Sequence, residues 1–110
     1  MNFWTHVEID TGAPEDEWPA FIERSYTTNV KDMFTKALGF PLNVFELTPC
    51  WEAAGPLAEG VRRMEAEPEV YRAMEPPSGF GDYEGALVFL RTLAEASAKH
   101  PKCRIRVDIF

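Results

Sequence analysis

Residues 76–87 read PPSGFGDYEGAL, and the rest of the chain is organised around this stretch. The double proline ends any element before it, because proline lacks an amide donor and disfavours helix in the preceding residue. Gly79 and Gly81 flank Phe80, so the backbone there can take positive φ or approach another group closely. Asp82 stands where it can cap a following helix. The stretch is therefore either a tight structural turn or the wall of a binding site.

The segment after this stretch predicts the clearest helix, since apolar residues recur at helical spacing over 83–98. A second helix is expected over about 30–38, with Asn29 as its N-cap. Between the two, the pair Gly55-Pro56 is expected to end one short helix and start another, and Pro68 to open a further turn. These signals predict three to four helices.

Strict alternation of apolar and polar residues predicts a strand at each end of the chain, over about 3–11 and 103–110. Aromatic and β-branched residues predict a third strand at 21–28. We expect the terminal strands to pair antiparallel, because each alone would leave its ladder groups unpaired. The predicted fold is α+β, a small two-layer sandwich in which these strands pack against three to four helices.

The composition indicates a single globular domain, 1–110, with one core. Hydrophobic residues make up 45% of the chain and charged residues 26%, which is unlike a disordered protein. The net charge is −7, and the 11 basic residues are scattered, so we do not expect direct nucleic-acid binding. An acidic surface favours solubility, and it also suits docking on a basic partner.

Cysteine usage and the termini indicate a cytoplasmic protein. Cys50 and Cys103 lack CxxC spacing and are too few for a zinc site, so we expect two buried free thiols rather than a metal centre. The first ten residues do not resemble a signal peptide, and no apolar run has the length of a membrane span. We expect no membrane segment, metal or cofactor.

The candidate site joins two clusters in which a loop becomes a helix. Helix N-termini present free backbone donors suited to anions, and two of them together would form a polar, glycine-walled cleft. In the alternative, Thr28, Asn29 and Asp82 only cap helices, and the glycines let Phe80 turn inward. The site hypothesis, for a ligand or a partner, comprises Tyr26, Thr28, Asn29, Gly79, Phe80, Gly81, Asp82 and Tyr83.

The sequence offers no catalytic constellation, which favours a binding protein over an enzyme. The glycine spacing around Phe80 is not that of a phosphate-binding loop. His6 and Asp10 share one face of a strand but lie about 13 Å apart at ~3.3 Å per residue, too far for a catalytic pair. Trp18 and Trp51 could form an aromatic patch for a partner or could be buried in the core.

Two segments resemble a family of small, functionally uncharacterised proteins of phages and bacteria, mostly actinobacteria. Residues 26–30 read YTTNV and residues 76–85 read PPSGFGDYEG, which match the family's segments Y-T-x-N-V and P-P-x-G-[WF]-G-x-Y-E-G. Phe80 stands where the family usually has Trp. Residues 7–12, 37–39 and 71–77 resemble the family as well, so the resemblance covers most of the chain. It implies a phage-associated accessory factor that binds a host or defence protein.

We therefore expect a small acidic protein-binding factor, phage-encoded on the strength of the resemblance, that inhibits a defence protein in the host cytoplasm. The alternative is a small-molecule-binding protein or minor enzyme that uses a cleft between Thr28, Asn29 and residues 79–83. A third hypothesis is a structural or assembly component.

Overall fold

The computed structural model describes the backbone of residues 1–110 and every side chain except that of Glu15. The fold is α+β, as predicted, with a three-stranded antiparallel sheet and four α-helices. The elements are β1 (Asn2–Ile9), β2 (Ala20–Thr27), α1 (Lys31–Leu38), α2 (Cys50–Ala66), α3 (Pro68–Arg72), α4 (Tyr83–Lys99) and β3 (Cys103–Ile109). Short 3-10 turns lie at Thr28–Val30 and Leu42–Phe45.

The strand order is β2-β1-β3, so the terminal strands are neighbours, as the unpaired-ladder argument predicted. Both pairs are antiparallel, and Phe3 lies opposite Tyr26 on one side and Ile109 on the other. One extra residue in β2 interrupts the β1–β2 ladder between the pairs Thr5–Arg24 and Val7–Phe21. Ile22 within this bulge has a φ of 53°, a left-handed conformation that β-branched residues rarely adopt.

The core lies between one face of the sheet and the helices, with the two 17-residue helices α2 and α4 packed against each other. Side chains at helical spacing on both helices and at alternate positions on β1 and β3 are buried in it. Its largest fully buried side chains include Phe34, Leu57, Met64, Leu90 and Ile105.

Helix α2 corrects the prediction that Gly55-Pro56 would end a helix. It runs without a break from Cys50 to Ala66, with Pro56 inside it. Pro56 and Glu52 are both exposed, so water can satisfy the Glu52 carbonyl that loses its intrahelical donor. The buried residues Leu57 and Met64 hold the second half of the helix in the core. Burial therefore outweighs the local cost of the proline.

The start of α1 corrects a second detail. Asn29 is not the N-cap of an α-helix, because a 3-10 turn over Thr28–Val30 comes first and α1 begins at Lys31. The Thr27 hydroxyl caps that turn and accepts from the Asn29 amide at 3.2 Å. The side chain of Asn29 is thereby left for another partner. By contrast, Asp82 caps α4 as predicted and accepts from the Gly85 amide at 2.7 Å.

The free edge of β3 is partly covered by the segment before α2. The Leu47 amide donates to the Ile105 carbonyl, and the Ile105 amide donates to the Thr48 carbonyl, each at 2.8 Å. Leu47 has a φ of 63° at this point. The pairing brings Pro49 opposite Arg104, next to Cys50 and Cys103, which are both buried and free of disulfides.

Candidate functional site

The two predicted clusters meet in direct contact through Tyr26 and Asn29. The Tyr26 hydroxyl accepts from the Asp82 amide at 2.9 Å and lies 3.3 Å from the Asp82 carboxylate Oδ1. The Asn29 side-chain amide donates to the Phe80 carbonyl at 3.1 Å. The end of β2 and the start of α4 are thus joined by hydrogen bonds instead of facing each other across a cleft.

Gly81 and Gly85 are required by this close approach. Gly81 has a φ of 103°, and a Cβ there would lie 2.6 Å from Thr27 and 2.9 Å from Val30. A Cβ at Gly85 would lie 2.1 Å from the Tyr26 hydroxyl. The glycines are therefore explained by contact between two parts of the chain, which capping of α4 alone would not require.

Phe80 points outward. Its side chain is 73% exposed, which corrects the alternative that the flanking glycines let it turn into the core. Its amide donates to the Ser78 hydroxyl at 3.3 Å, and its carbonyl is held by Asn29. We call residues 76–82 the Phe80 loop. This loop presents an aromatic side chain to solvent on a backbone fixed from both sides.

Thr28 and Tyr83 bond to groups outside the junction of Tyr26, Asn29 and the Phe80 loop. The Thr28 hydroxyl donates to the Met1 carbonyl at 3.1 Å, beside a groove between α1 and the end of the sheet. Tyr83 is buried, and its hydroxyl donates to the Met64 carbonyl at 2.7 Å while its own amide donates to the Glu75 carboxylate at 2.8 Å. Of the eight predicted site residues, Thr28 therefore bonds to the N-terminal residue and Tyr83 bonds to a helix in the core.

Acidic groups lie within and beside the Phe80 loop. Asp82, its last residue, is exposed, Glu75 directly precedes the loop and accepts from the Tyr83 amide, and Glu84 pairs with Arg72 at 2.8 Å. Burial raises the pKa of Tyr26, and the negative charges of Asp82 and Glu75 raise it further. The hydrogen bond from the Asp82 backbone amide acts in the opposite direction and lowers it. Tyr26 therefore keeps its proton at neutral pH and can hold Asp82 as both donor and acceptor.

A second exposed surface lies at the other end of α4. It is a groove of about 690 Å³ that we call the Trp groove, lined by Trp18, Leu47, Pro49, Trp51, Pro101 and Lys102, with Asp10, Cys103 and Arg104. Trp51 is 65% exposed and Leu47 54% exposed. The sequence left open whether Trp18 and Trp51 form a patch or lie in the core, and both line this groove.

Trp18 is held in one orientation. Its indole Nε1 donates to the Ala13 carbonyl at 3.0 Å. The guanidinium carbon of Arg104 lies over the indole ring, 4.1 Å from the ring centroid. Arg104 in turn donates from Nε to the Glu8 carboxylate at 2.7 Å, and both are buried. The indole is thus fixed at the edge of the groove by one hydrogen bond and one cation–π contact.

Other site types find no support in the structure. Among the residues whose side chains are described, no group of three or more His, Cys, Asp or Glu residues could hold a metal ion. In the part of the chain that the structure describes, none of the helices is long and apolar enough to cross a membrane. Burial raises the pKa of the Cys50 thiol to about 11, so it is not an activated nucleophile.

Comparison with known proteins identifies no family: no family model, curated protein or solved structure matches the chain. The fold, the Phe80 loop and the Trp groove are therefore the observations from which a function can be inferred.

Proposed function

We propose that the chain is a small protein-binding factor that uses Phe80 as its anchor. The observation that carries this proposal is the 73% exposure of Phe80 on a loop fixed by Asn29 and Ser78. Aromatic side chains are enriched at the centres of protein interfaces, where a few of them supply most of the binding energy. Burial of one phenylalanine contributes roughly 1.5–3 kcal/mol.

The fixed loop adds to this affinity. A flexible loop would lose conformational entropy when its partner ordered it, and that loss reduces the net binding free energy. Here the Phe80 carbonyl accepts from Asn29 and the Phe80 amide donates to Ser78, and Gly79 and Gly81 adopt φ values of 78° and 103°. These bonds reduce the conformational entropy that the loop has left to lose on binding.

The charges around the loop indicate the chemistry of the partner. Glu75 and Asp82 flank Phe80, and the whole chain carries a net charge of −7. An apolar pocket with a rim of lysine or arginine side chains would complement this surface and would be steered toward it. The association rate should then fall as salt is added, because exposed charges are screened.

A narrower form of the proposal is that the partner is a host defence protein and that the chain is phage-encoded. It is motivated by the resemblance of residues 26–30 and 76–85 to small phage and actinobacterial proteins. A phage that lacks the gene should then plate less efficiently on a host carrying the defence system, and equally well on a host without it. If the phage without the gene plated with equal efficiency on both hosts, the proposal that the partner is a defence protein would be wrong.

Affinity capture with matched variants tests the general proposal. The immobilised chain should retain a stoichiometric partner from a lysate of its own host, and Phe80→Ala should lose that partner. Phe110→Ala is the control, because Phe110 is exposed to nearly the same extent, 69%, but stacks on Trp4 on the other face of the sheet. Equal retention by wild type and Phe80→Ala, or no partner at all, would contradict the proposal.

A second candidate function is small-molecule binding, which one observation favours. Thr28 lies at a groove of about 440 Å³ whose apolar floor is formed by Phe3 and Leu42 and whose rim carries Lys31 and Asp32. This volume is in the range of small-ligand sites. Native mass spectrometry of the protein purified from its own host would show a retained ligand, and a Leu42→Ala change should alter its occupancy.

A further inference from the structure

Cys50 and Cys103, the two cysteines of the chain, lie opposite each other where the start of α2 meets the start of β3. Pro49 forms an antiparallel bridge with Arg104, so the residue after Pro49 is opposed to the residue before Arg104. Opposed residues of an antiparallel pair have Cα atoms about 4.5–5.5 Å apart. A disulfide spans Cα atoms that are roughly 4.4–6.8 Å apart, so the backbone at this point has the spacing that a disulfide needs.

Both thiols lie on the core side of the sheet. Along β3, the side chains of Cys103, Ile105 and Val107 are buried in the core at alternate positions, and Arg104 faces the other side. Cys50 is opposed to Cys103, and it is fully buried as well. Burial raises the pKa of the Cys50 thiol to about 11, and the charge of Cys103 adds to this rise, so the two sulfur atoms are close enough to interact.

The two thiols differ in access. Cys103 is 6% exposed and lines the Trp groove, whereas Cys50 has no exposed surface. The groove has a volume of about 690 Å³, which is large enough to admit a small reagent. A small molecule in the groove can therefore reach Cys103 but not Cys50.

A buried hydroxyl lies beside the less accessible thiol. Ser97 is fully buried in α4, and its hydroxyl has no hydrogen-bond partner among the side chains that the structure describes. Such a group is uncommon, because an unsatisfied buried hydroxyl costs free energy. Ser97 neighbours Cys50 and opposes the rise in the pKa of that thiol. Since a hydroxyl can donate to a thiolate, Ser97 would gain a partner whenever Cys50 ionises.

We propose that Cys50 and Cys103 form a reversible disulfide, in which Cys103 reacts first with a small disulfide and Cys50 completes the bond. In the first step the Cys103 thiolate attacks the reagent RSSR, forms a Cys103–S–S–R bond and releases one thiol, RSH, after protonation. The Cys50 thiolate, with Ser97 as its donor, then attacks the Cys103 sulfur and releases the second RSH. The two cysteines lose two electrons and two protons in all, and one RSSR is reduced to two RSH.

The bond would join segments that are distant in the sequence. Cys50 and Cys103 are 53 positions apart, and a cross-link over a loop of this length stabilises mainly by restricting the unfolded chain. Folding should therefore favour the disulfide by the same factor, roughly a hundredfold or more. The bond would also hold Pro49 against β3 and so fix the wall of the Trp groove that Leu47, Pro49 and Trp51 form.

Equilibration with hydroxyethyl disulfide and mercaptoethanol, a small uncharged redox pair, tests the proposal. Exchange is slow at buried thiols, so the equilibrium is approached from both the reduced and the oxidised protein. Oxidised wild type should be two hydrogen atoms lighter, and a digest without reductant should join the peptide of Cys50 to that of Cys103. The equilibrium constant for this bond should be roughly a hundredfold or more greater in the folded chain than in urea. A constant no greater in the folded chain than in urea would overturn the proposal.

Three variants test the order of the two steps. Cys50→Ser should accumulate a mixed disulfide at Cys103, whereas Cys103→Ser should leave Cys50 unmodified over the same period. Ser97→Ala keeps both thiols and should accumulate the mixed disulfide before the internal bond forms. Circular dichroism checks that each variant is folded, and the joined peptides of wild type do not depend on any variant. Mixed disulfides in wild type without joined peptides, or modification of Cys50 in folded Cys103→Ser, would overturn the proposal.

Discussion

Asn29 fixes Phe80 through a single hydrogen bond of 3.1 Å between its side-chain amide and the Phe80 carbonyl. The two residues are 51 positions apart in the sequence, so the bond ties the 3-10 turn before α1 to the loop before α4. Tyr26 adds a second tie at Asp82. Together they determine the direction in which Phe80 projects.

Replacement of Asn29 should therefore loosen the loop more than it destabilises the fold. Asn29→Ala removes one exposed hydrogen bond, so the free energy of unfolding should fall by about 1 kcal/mol. Amide exchange at residues 79–81 should accelerate, because that segment loses one of its two anchors. Asn43→Ala, an exposed asparagine on the Leu42–Phe45 turn, is the control. Unchanged exchange at 79–81 in Asn29→Ala would show that the bond does not hold the loop.

Two helical glycines should respond differently to the same substitution. Gly85→Ala should destabilise by about 1–3 kcal/mol, because its methyl group would lie 2.1 Å from the Tyr26 hydroxyl and displace it from Asp82. Gly55→Ala meets no atom within 4 Å outside its chain neighbours and gains helix propensity, but the ring of Pro56 disfavours helix when the preceding residue carries a Cβ, so the unfolding free energy should change by less than about 0.5 kcal/mol. Urea unfolding measures both. Stabilisation by Gly85→Ala would mean that Tyr26 moves aside without cost.

The buried pair of Glu8 and Arg104 should make stability depend on pH. Burial alone would raise the pKa of Glu8, but the hydrogen bond and charge of Arg104, with Arg106 and His6, hold it below the ordinary value of 4.5. A carboxylate with a lowered folded pKa stabilises the fold above its unfolded pKa, and this contribution is lost as pH falls through the folded pKa.

Glu8→Gln should accordingly cost about 2–3 kcal/mol at pH 7, because Arg104 loses its charged partner. The difference from wild type should shrink as pH falls from about 5 through the folded pKa, once wild-type Glu8 is protonated. Urea unfolding at a series of pH values measures the difference. Glu23→Gln, on the exposed part of β2, should show no such trend. If the difference in unfolding free energy between wild type and Glu8→Gln stayed constant down to pH 3, the lowered pKa of Glu8 would be contradicted.

The cysteine thiols should react slowly in the folded protein. Burial raises the pKa of Cys50 from its ordinary value of 9.0 to about 11; the neighbouring Ser97 opposes this shift and Cys103 reinforces it. Burial also raises the pKa of Cys103. At pH 8 the thiolate fraction of Cys50 should fall by about a hundredfold, and its reaction with a disulfide reagent should slow at least as much. Urea should restore rapid reaction of both thiols. A fast-reacting thiol in the native protein would contradict this prediction.

Local sequence signals were sufficient for the sheet and for α4. Alternation over 3–11 and 103–110 predicted the two strands that pair in the structure, and helical spacing over 83–98 predicted α4 to within one residue. These elements have one buried face each, so their residue pattern reports their environment directly.

Local signals failed where distant contacts decide the outcome. Pro56 was expected to end a helix, but α2 continues through it because α2 is buried against α4. The residues next to Pro56 in the sequence do not reveal this tertiary contact. Asn29 was expected to cap α1, yet its side chain bonds a carbonyl 51 residues away. Of the eight predicted site residues, Tyr26 bonds to Asp82 and Asn29 bonds to Phe80 at one junction, whereas Thr28 and Tyr83 bond elsewhere.

The sequence also did not predict which aromatic residues are exposed. Trp18 and Trp51 are 33 positions apart, and either could have filled the core of a small domain. The position of Trp51 depends on the pairing of the segment before α2 with β3, which no periodic pattern in residues 42–49 indicates. Trp18 is held instead by the Ala13 carbonyl and by Arg104. The one local signal was the absence of either tryptophan from a regular apolar stripe.

The bulge at Ile22 should reduce the tendency of the protein to form fibrils during storage in solution. β2 is one of the two edge strands of the sheet, and an unbroken strand edge is a template for fibril growth. The extra residue kinks this edge, and Glu23 and Arg24 place opposite charges beside the kink. Concentrated samples should therefore recover fully on dilution and bind no amyloid dye, and removal of residue 22 should make turbid, dye-binding precipitates appear.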